Sequence, residues 1–143
     1  METACRRIIA RQAVFSVQFP ALPASSAAHT SQPGKANAMI QVSVQYPNRE
    51  GSRFDADYYF NQHMPLAIRL LSPALRGVTA EQGIGGAVPG QPPAYVAACY
   101  FLFDSPESFY EAFLPHAAAL QGDIPVYTDI EPVIQLSEVR ISR

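Results

Sequence analysis

Cysteine is scarce in this chain, and a strong charge of either sign is missing. Cys5 sits in the first segment and Cys99 inside a strongly apolar run, so no disulfide framework is expected and a reducing compartment, the cytoplasm, is the natural setting. Cys99 reads as core rather than nucleophile, because no basic neighbour in sequence would lower its thiol pKa. Lys and Arg number 10 against 12 Asp and Glu, which favours neither a nucleic-acid partner nor an anionic membrane surface. No apolar stretch approaches the roughly 20 residues of a membrane-spanning helix, and a soluble protein is expected. Metal spacing is lacking too. His63 and His116 have no spaced third ligand, and His29 lies far away in the first segment, so no metal site is expected. Gly83-Ile84-Gly85-Gly86 lacks the strand-turn-helix setting of a phosphate loop, and no other cofactor motif is present.

What remains is an ordinary apolar content of 48% in 143 residues, enough for one core and one domain. Composition changes near residue 39. Residues 1–38 hold Arg6, Arg7, Arg11 and Lys35 against the single acid Glu2, and end in a breaker-rich stretch. This segment fits a disordered leader of the transit-peptide kind, a faint twin-arginine signal at Arg6-Arg7, or a start codon set too early, with Met39 the true first residue. The last is favoured because a strand begins at once at Ile40. The working domain is residues 39–143.

Within it, Ile40, Val42, Val44 and Tyr46 alternate with Gln41, Ser43 and Gln45, as in a strand with one buried face. Asp55 is placed to cap a helix running to about Leu71. Residues 76–86 read as a glycine-broken second strand, followed by a Gly- and Pro-rich flap. The third strand, Tyr95 to Phe103, is apolar on both faces, and one helical layer covers only one of them. A partner subunit is the economical cover for the other. Ser105-Pro106-Glu107 starts a second helix, interrupted or kinked at Pro115. Residues 122–132 read as a loop and Val133 to Ile141 as the last strand. The order β-α-β-β-α-β is the split βαβ of ferredoxin-like α+β domains. RNA-recognition domains share that order, and Tyr100-Phe101-Leu102-Phe103 offers strand aromatics, but the basic and glycine residues of that motif are missing.

At 100° per residue, Tyr59, His63, Leu66, Ala67 and Leu70 share one face of the first helix, with Asp57, Asn61 and Arg69 opposite. A titratable imidazole therefore sits inside an apolar stripe, and Pro65 should bend the helix just past it. His116 lies on the inward face of the second helix, so both imidazoles could look into one cleft and move protons near neutral pH. Two hydrogen-bonded core histidines would give the same pattern. Tyr59 could aim its hydroxyl at a ligand or satisfy it within the core. Tyr58 falls on the polar side. Tyr127 or Asp129 could reach a pocket mouth, although Thr and Asp also favour turns on backbone grounds alone.

The set Ile40–Pro47, Phe54-Asp55 with Tyr58-Tyr59, His63-Met64-Pro65-Leu66, Pro115-His116-Ala117 and Asp123-Ile124-Pro125-Tyr127-Thr128 resembles the EthD family, named for ethyl tert-butyl ether degradation. The resemblance covers residues 39–143 almost end to end. It implies a ferredoxin-like domain forming a dimeric α+β barrel, a homodimer in which two sheets pack face to face. It also implies a small apolar oxygenated ligand between sheet and helices, held without a cofactor, and a cytochrome P450 system as a possible partner. Related barrels include lactone isomerases, polyketide cyclases and cofactor-free monooxygenases. The expected site is His63 as general acid or base, with His116, Tyr59 and Asp129 orienting it. A non-catalytic accessory protein that delivers such a ligand to an oxygenase is the alternative.

Overall fold

Alternating apolar residues from Ile40 onward put one face of the first strand into a core, and the strand β1 (Ile40–Pro47) forms accordingly. In the computed structural model the described residues are 38–143, so the expectations for the leader lie outside them. Three further strands, β2 (Gly77–Gln82), β3 (Tyr95–Phe103) and β4 (Val133–Glu138), complete a four-stranded sheet in the order β2-β3-β1-β4. Every neighbouring pair is antiparallel. With helices after β1 and β3, this is the expected α+β, ferredoxin-like arrangement.

Register decides the faces. Ile40 pairs with Phe103, Val42 with Phe101, Val44 with Cys99 and Tyr46 with Ala97, so these side chains share one side of the sheet. The helices pack there, bringing Tyr59, Met64, Ala67, Leu71, Phe109, Leu120, Ile124, Tyr127 and Ile130 into the core. Phe103 is wholly buried, and truncating it to alanine would cost ~3–5 kcal/mol. On the opposite face Val96, Ala98, Tyr100 and Leu102 of β3 form an apolar strip. Gln41, Ser43 and Gln45 of β1 flank it on one side, and Thr79 and Glu81 of β2 on the other.

The first helix, α1, runs over residues 56–71 as three contiguous segments, Ala56–Tyr58, Tyr59–His63 and Met64–Leu71. Asp55 caps it, its carboxylate accepting the Tyr58 amide at 3.0 Å. Over Tyr59–His63 the helix widens to a π turn, with the Met64 amide bonded to the Tyr59 carbonyl five residues back. Pro65 comes directly after. It has no amide to give, and its ring crowds the carbonyl four residues back. A single wide turn inside an α-helix is the form in which π geometry mostly occurs. The extra residue also rotates the rest of the helix about its axis. Buried positions are Tyr59, His63, Met64, Ala67 and Leu71, whereas Leu66 and Leu70, expected on the inner face, are only half-buried.

The second helical stretch contains α2 (Pro106–Phe113), a 3₁₀ turn at Leu114–His116 where Pro115 falls, and α3 (Ala117–Tyr127). Ser105 and Ser108 cap α2 reciprocally. The loop expected over 122–132 is mostly helix, since α3 continues to Tyr127. Two strands end earlier than expected. β2 stops at Gln82; the Gly83 amide still bonds the Val96 carbonyl at 2.9 Å, and the backbone lies so close to the Tyr95 carbonyl and Pro93 that a Cβ would not fit. β4 stops at Glu138, which pairs with Ile40, the first residue of β1, and one further bond joins the Val139 amide to the Met39 carbonyl at 2.8 Å. Among the described residues no helix is long and apolar enough to cross a membrane.

Candidate active site

The last bond within helix α3 runs from Thr128 N–H to the Ile124 carbonyl at 3.1 Å, and the carbonyls beyond it have no partner inside the helix. Three of these are served from outside: the Arg53 guanidinium serves Pro125 at 2.9 Å and Val126 at 3.1 Å, and Asp55 N–H serves Tyr127 at 2.7 Å. The clamp extends to the backbone around it. Arg53 N–H donates to the Asp129 carboxylate at 2.8 Å, and the Thr128 hydroxyl donates to the Arg53 carbonyl at 2.7 Å. This explains why the segment stays helical despite Gly122 and Pro125. Glycine costs about 1 kcal/mol, and Pro125 forfeits one amide in the final turn, while a guanidinium at the negative end of the helix offsets both. The start of α1 is thereby tied to the end of α3.

That tie brings Asp123 against α1. Its carboxylate accepts a hydrogen bond from the Tyr58 hydroxyl at 2.9 Å on one oxygen and meets His63 Nδ1 at 2.8 Å on the other. A carboxylate can only accept, so Nδ1 carries the proton and the neutral ring keeps its lone pair on Nε2. Among the described residues Nε2 has no hydrogen-bond partner. Burial pushes the His63 pKa below its ordinary value, and the Asp123 hydrogen bond and charge only partly offset this. The imidazole is therefore a neutral base at pH 7, with Asp123 ready to stabilise the cation once a proton arrives. Tyr58 is held above its usual range, chiefly by its hydrogen bond to Asp123.

Aromatic rings enclose the pair. His63 lies 4.7 Å from the Tyr127 ring and stacks on Tyr59 at 5.8 Å, while Phe54 contacts Tyr46, Tyr59 and Tyr127. Tyr46 and Tyr127 share one hydrogen bond at 2.6 Å between their hydroxyls, so one of those two protons is left without an acceptor. The Tyr59 hydroxyl is fully buried and, among the described residues, makes no hydrogen bond. The Cys99 thiol is close enough to act on it through a weak polar contact as well as through charge, but the geometry falls short of a hydrogen bond, and thiol sulfur is a poor acceptor in any case. Burial raises all three phenols, so they stay protonated, and lifts Cys99 to about 11. Two phenolic protons of the cluster, that of Tyr59 and one of the Tyr46–Tyr127 pair, are therefore not engaged by an acceptor among the described residues.

An EthD domain matches residues 51–131, which contain every residue of this cluster except Tyr46. The chain is 48% identical to an EthD-like protein from Ralstonia eutropha, over 75% of this chain and 96% of that one, with a TM-score of 0.71. The chain belongs to the EthD family. An ethyl tert-butyl ether degradation family protein from Bacillus halodurans shares the fold at 21% identity, covering 71% of this chain and 98% of that one with a TM-score of 0.51. A fainter likeness, 15% identity and a TM-score of 0.46 over 75% of this chain and 97% of that one, extends to SnoaB, a cofactor-independent oxygenase from Streptomyces nogalater. No curated protein matches the chain.

Within this EthD chain the expected site residues separate. His63 and Tyr59 lie together in the aromatic cluster, as their shared face implied. His116 is half-buried at the end of the 3₁₀ turn, and no hydrogen bond or ring contact joins it to His63. Asp129 is exposed and binds the Arg53 amide, so it belongs to the clamp and not to the imidazole. The carboxylate on His63 is Asp123, six residues earlier. Tyr58, placed by helical phase on the polar side, turns instead to Asp123 and stacks on Tyr127. Asp123 could have been found by extending the helical period of Leu120, Ile124 and Tyr127 through Pro125. Among the described residues, no three His, Cys, Asp or Glu side chains lie close enough to hold a metal ion.

Proposed function

We propose that this EthD-family protein binds a small, apolar, oxygenated compound between its sheet and helices and transforms it by proton transfer through His63, without a cofactor. The His63–Asp123 pair inside an aromatic enclosure carries this reading. Its chemistry follows from the protonation pattern. Nε2 removes a proton from an acidic C–H or O–H of the ligand, Asp123 stabilises the resulting imidazolium, and a surplus phenolic proton bonds the oxygen on which charge develops. Returning the proton to a different atom gives an isomerisation or cyclisation. In an oxidative branch dioxygen is the co-substrate, and a ring CH₂ and O₂ become C=O and water. A homodimer is part of the same proposal: the strip of Val96, Ala98, Tyr100 and Leu102 would pack on its counterpart in a second copy. Sedimentation showing a monomer at micromolar concentration would remove that element.

The enclosure would equally hold a ligand that is only delivered to a partner oxygenase such as a cytochrome P450, and one experiment separates the two. The protein and its His63→Ala variant are incubated in air with anthrones, hydroxyquinones, lactones and alkyl ethers, and products are read by mass spectrometry. Turnover reduced ~10²–10⁴-fold in the variant is expected of a lost proton-transfer group. Equal turnover by both proteins, or binding with no product, refutes the catalytic role.

A further inference from the structure

We propose that Arg53 is a positioning residue for His63, acting through the far end of α3. This rests on His63 and Asp123 being the proton-handling pair, but it concerns how that pair is held. Arg53 lies ten residues before His63 in sequence and touches neither ring nor carboxylate of the pair. Its guanidinium instead bonds two successive carbonyls, Pro125 and Val126, in the last turn of α3. Its amide and carbonyl engage Asp129 and Thr128 just beyond that turn. Asp123 sits directly upstream of the clamped carbonyls, on a helix weakened by Gly122 and by the missing amide of Pro125. Two residues after Arg53, Asp55 caps the helix that carries Tyr58 and His63. One short segment therefore sets both ends of the 2.8 Å contact between His63 and Asp123. Without the guanidinium, two helix-terminal carbonyls lose charge-assisted partners, the last turn frays, and Asp123 is no longer fixed against Nδ1.

The readout is the tautomer of His63, which a purely structural role for Arg53 would not move. In the intact protein nitrogen NMR of ¹⁵N-labelled histidine should show the Nδ1–H form alone, at a pH well above 6.5 where the ring is neutral. In Arg53→Met the ratio of Nδ1–H to Nε2–H should fall about tenfold or more, the equivalent of one charge-assisted hydrogen bond. Arg53→Lys keeps the charge but not the two-pronged fork, so its ratio should lie between the two. If Arg53→Met does not fold, the lysine variant decides. A pure Nδ1–H form in either folded variant overturns the proposal. The measurement needs no substrate, so its failure is distinct from a failure of the catalytic reading.

Discussion

Replacing Tyr59 by phenylalanine should make the empty protein more stable and its ligand complex weaker. The Tyr59 side chain is fully buried, and its hydroxyl has no hydrogen-bond partner among the described residues. Leaving a buried hydroxyl unsatisfied costs ~1–3 kcal/mol, because its bonds to water are given up on folding and nothing replaces them. Phenylalanine removes that cost and keeps the ring. The contacts to Tyr46 at 5.6 Å, Phe54 at 5.2 Å, Phe60 at 4.9 Å and Tyr127 at 5.3 Å do not depend on the oxygen. Against the gain stands a void of one oxygen atom, costing a fraction of a kcal/mol in lost dispersion contacts. The net expectation is a gain of about 1 kcal/mol or more, or roughly 4–8 °C in Tm per kcal/mol for a domain of this size. Urea denaturation of both proteins, compared at equal m-value, measures it. A loss of about 1 kcal/mol would mean that the hydroxyl is satisfied in solution, and the donor surplus would no longer argue for an oxygen-bearing ligand. A gain in stability together with weaker binding of an oxygenated ring would identify the hydroxyl as one held for function.

Asp123→Asn keeps the shape of the contact but removes the charge that stabilises a protonated ring, so turnover should fall by about 10²-fold or more in steady-state assays, with little change in KM. Tyr58→Phe removes one of the two donors on Asp123, leaving more of the carboxylate charge to His63. The His63 pKa should rise, as an NMR titration would show, and an unchanged value would uncouple Tyr58 from the pair. Folding stability should depend on pH through His63 in a defined sense. Its folded pKa lies below 6.5, so between those two values the unfolded chain binds more protons than the native one. The contribution is fully present above about pH 6.5 and is lost as pH falls toward the folded pKa. Urea midpoints of the protein and of His63→Gln should diverge above that window and converge below it; parallel curves would refute the assignment.

Much of the fold is readable from local pattern. The alternation in β1, the two-sided apolar run of β3 and the capping residues Asp55 and Ser105 each act within a few residues, and each produced the expected element. Errors cluster at prolines and glycines. Pro115 breaks its helix as expected, since a ring in mid-helix meets no compensation there. Pro125 and Gly122 do not, because the compensation comes from Arg53, about seventy residues away in sequence. Nothing local to residues 122–132 announces it.

The same distant contact explains why the site is only half legible. The apolar stripe located His63 and Tyr59 on one element, and periodicity sufficed for that. The carboxylate that sets the tautomer comes from another element, and its position depends on whether 122–127 is helix or loop. Treated as a loop, the segment offers Asp129 as the natural acid near the sheet. Treated as helix, it offers Asp123, one turn before Tyr127 and on the side facing α1. The π turn adds a second displacement. An ideal 3.6-residue period continued past His63 selects Leu66 and Leu70, but the wide turn before Pro65 advances the phase and buries Met64 and Leu71. In both places a proline governs how side chains are counted: before Pro65 a wide turn shifts the phase, whereas the helix runs through Pro125 with its phase kept. The residues on which the proposed chemistry depends stand beside those prolines: His63 closes the π turn, and Asp123 precedes Pro125 by two positions. Wide turns inside α-helices occur frequently at functional sites, and His63, the last residue of this one, meets the Asp123 carboxylate at 2.8 Å.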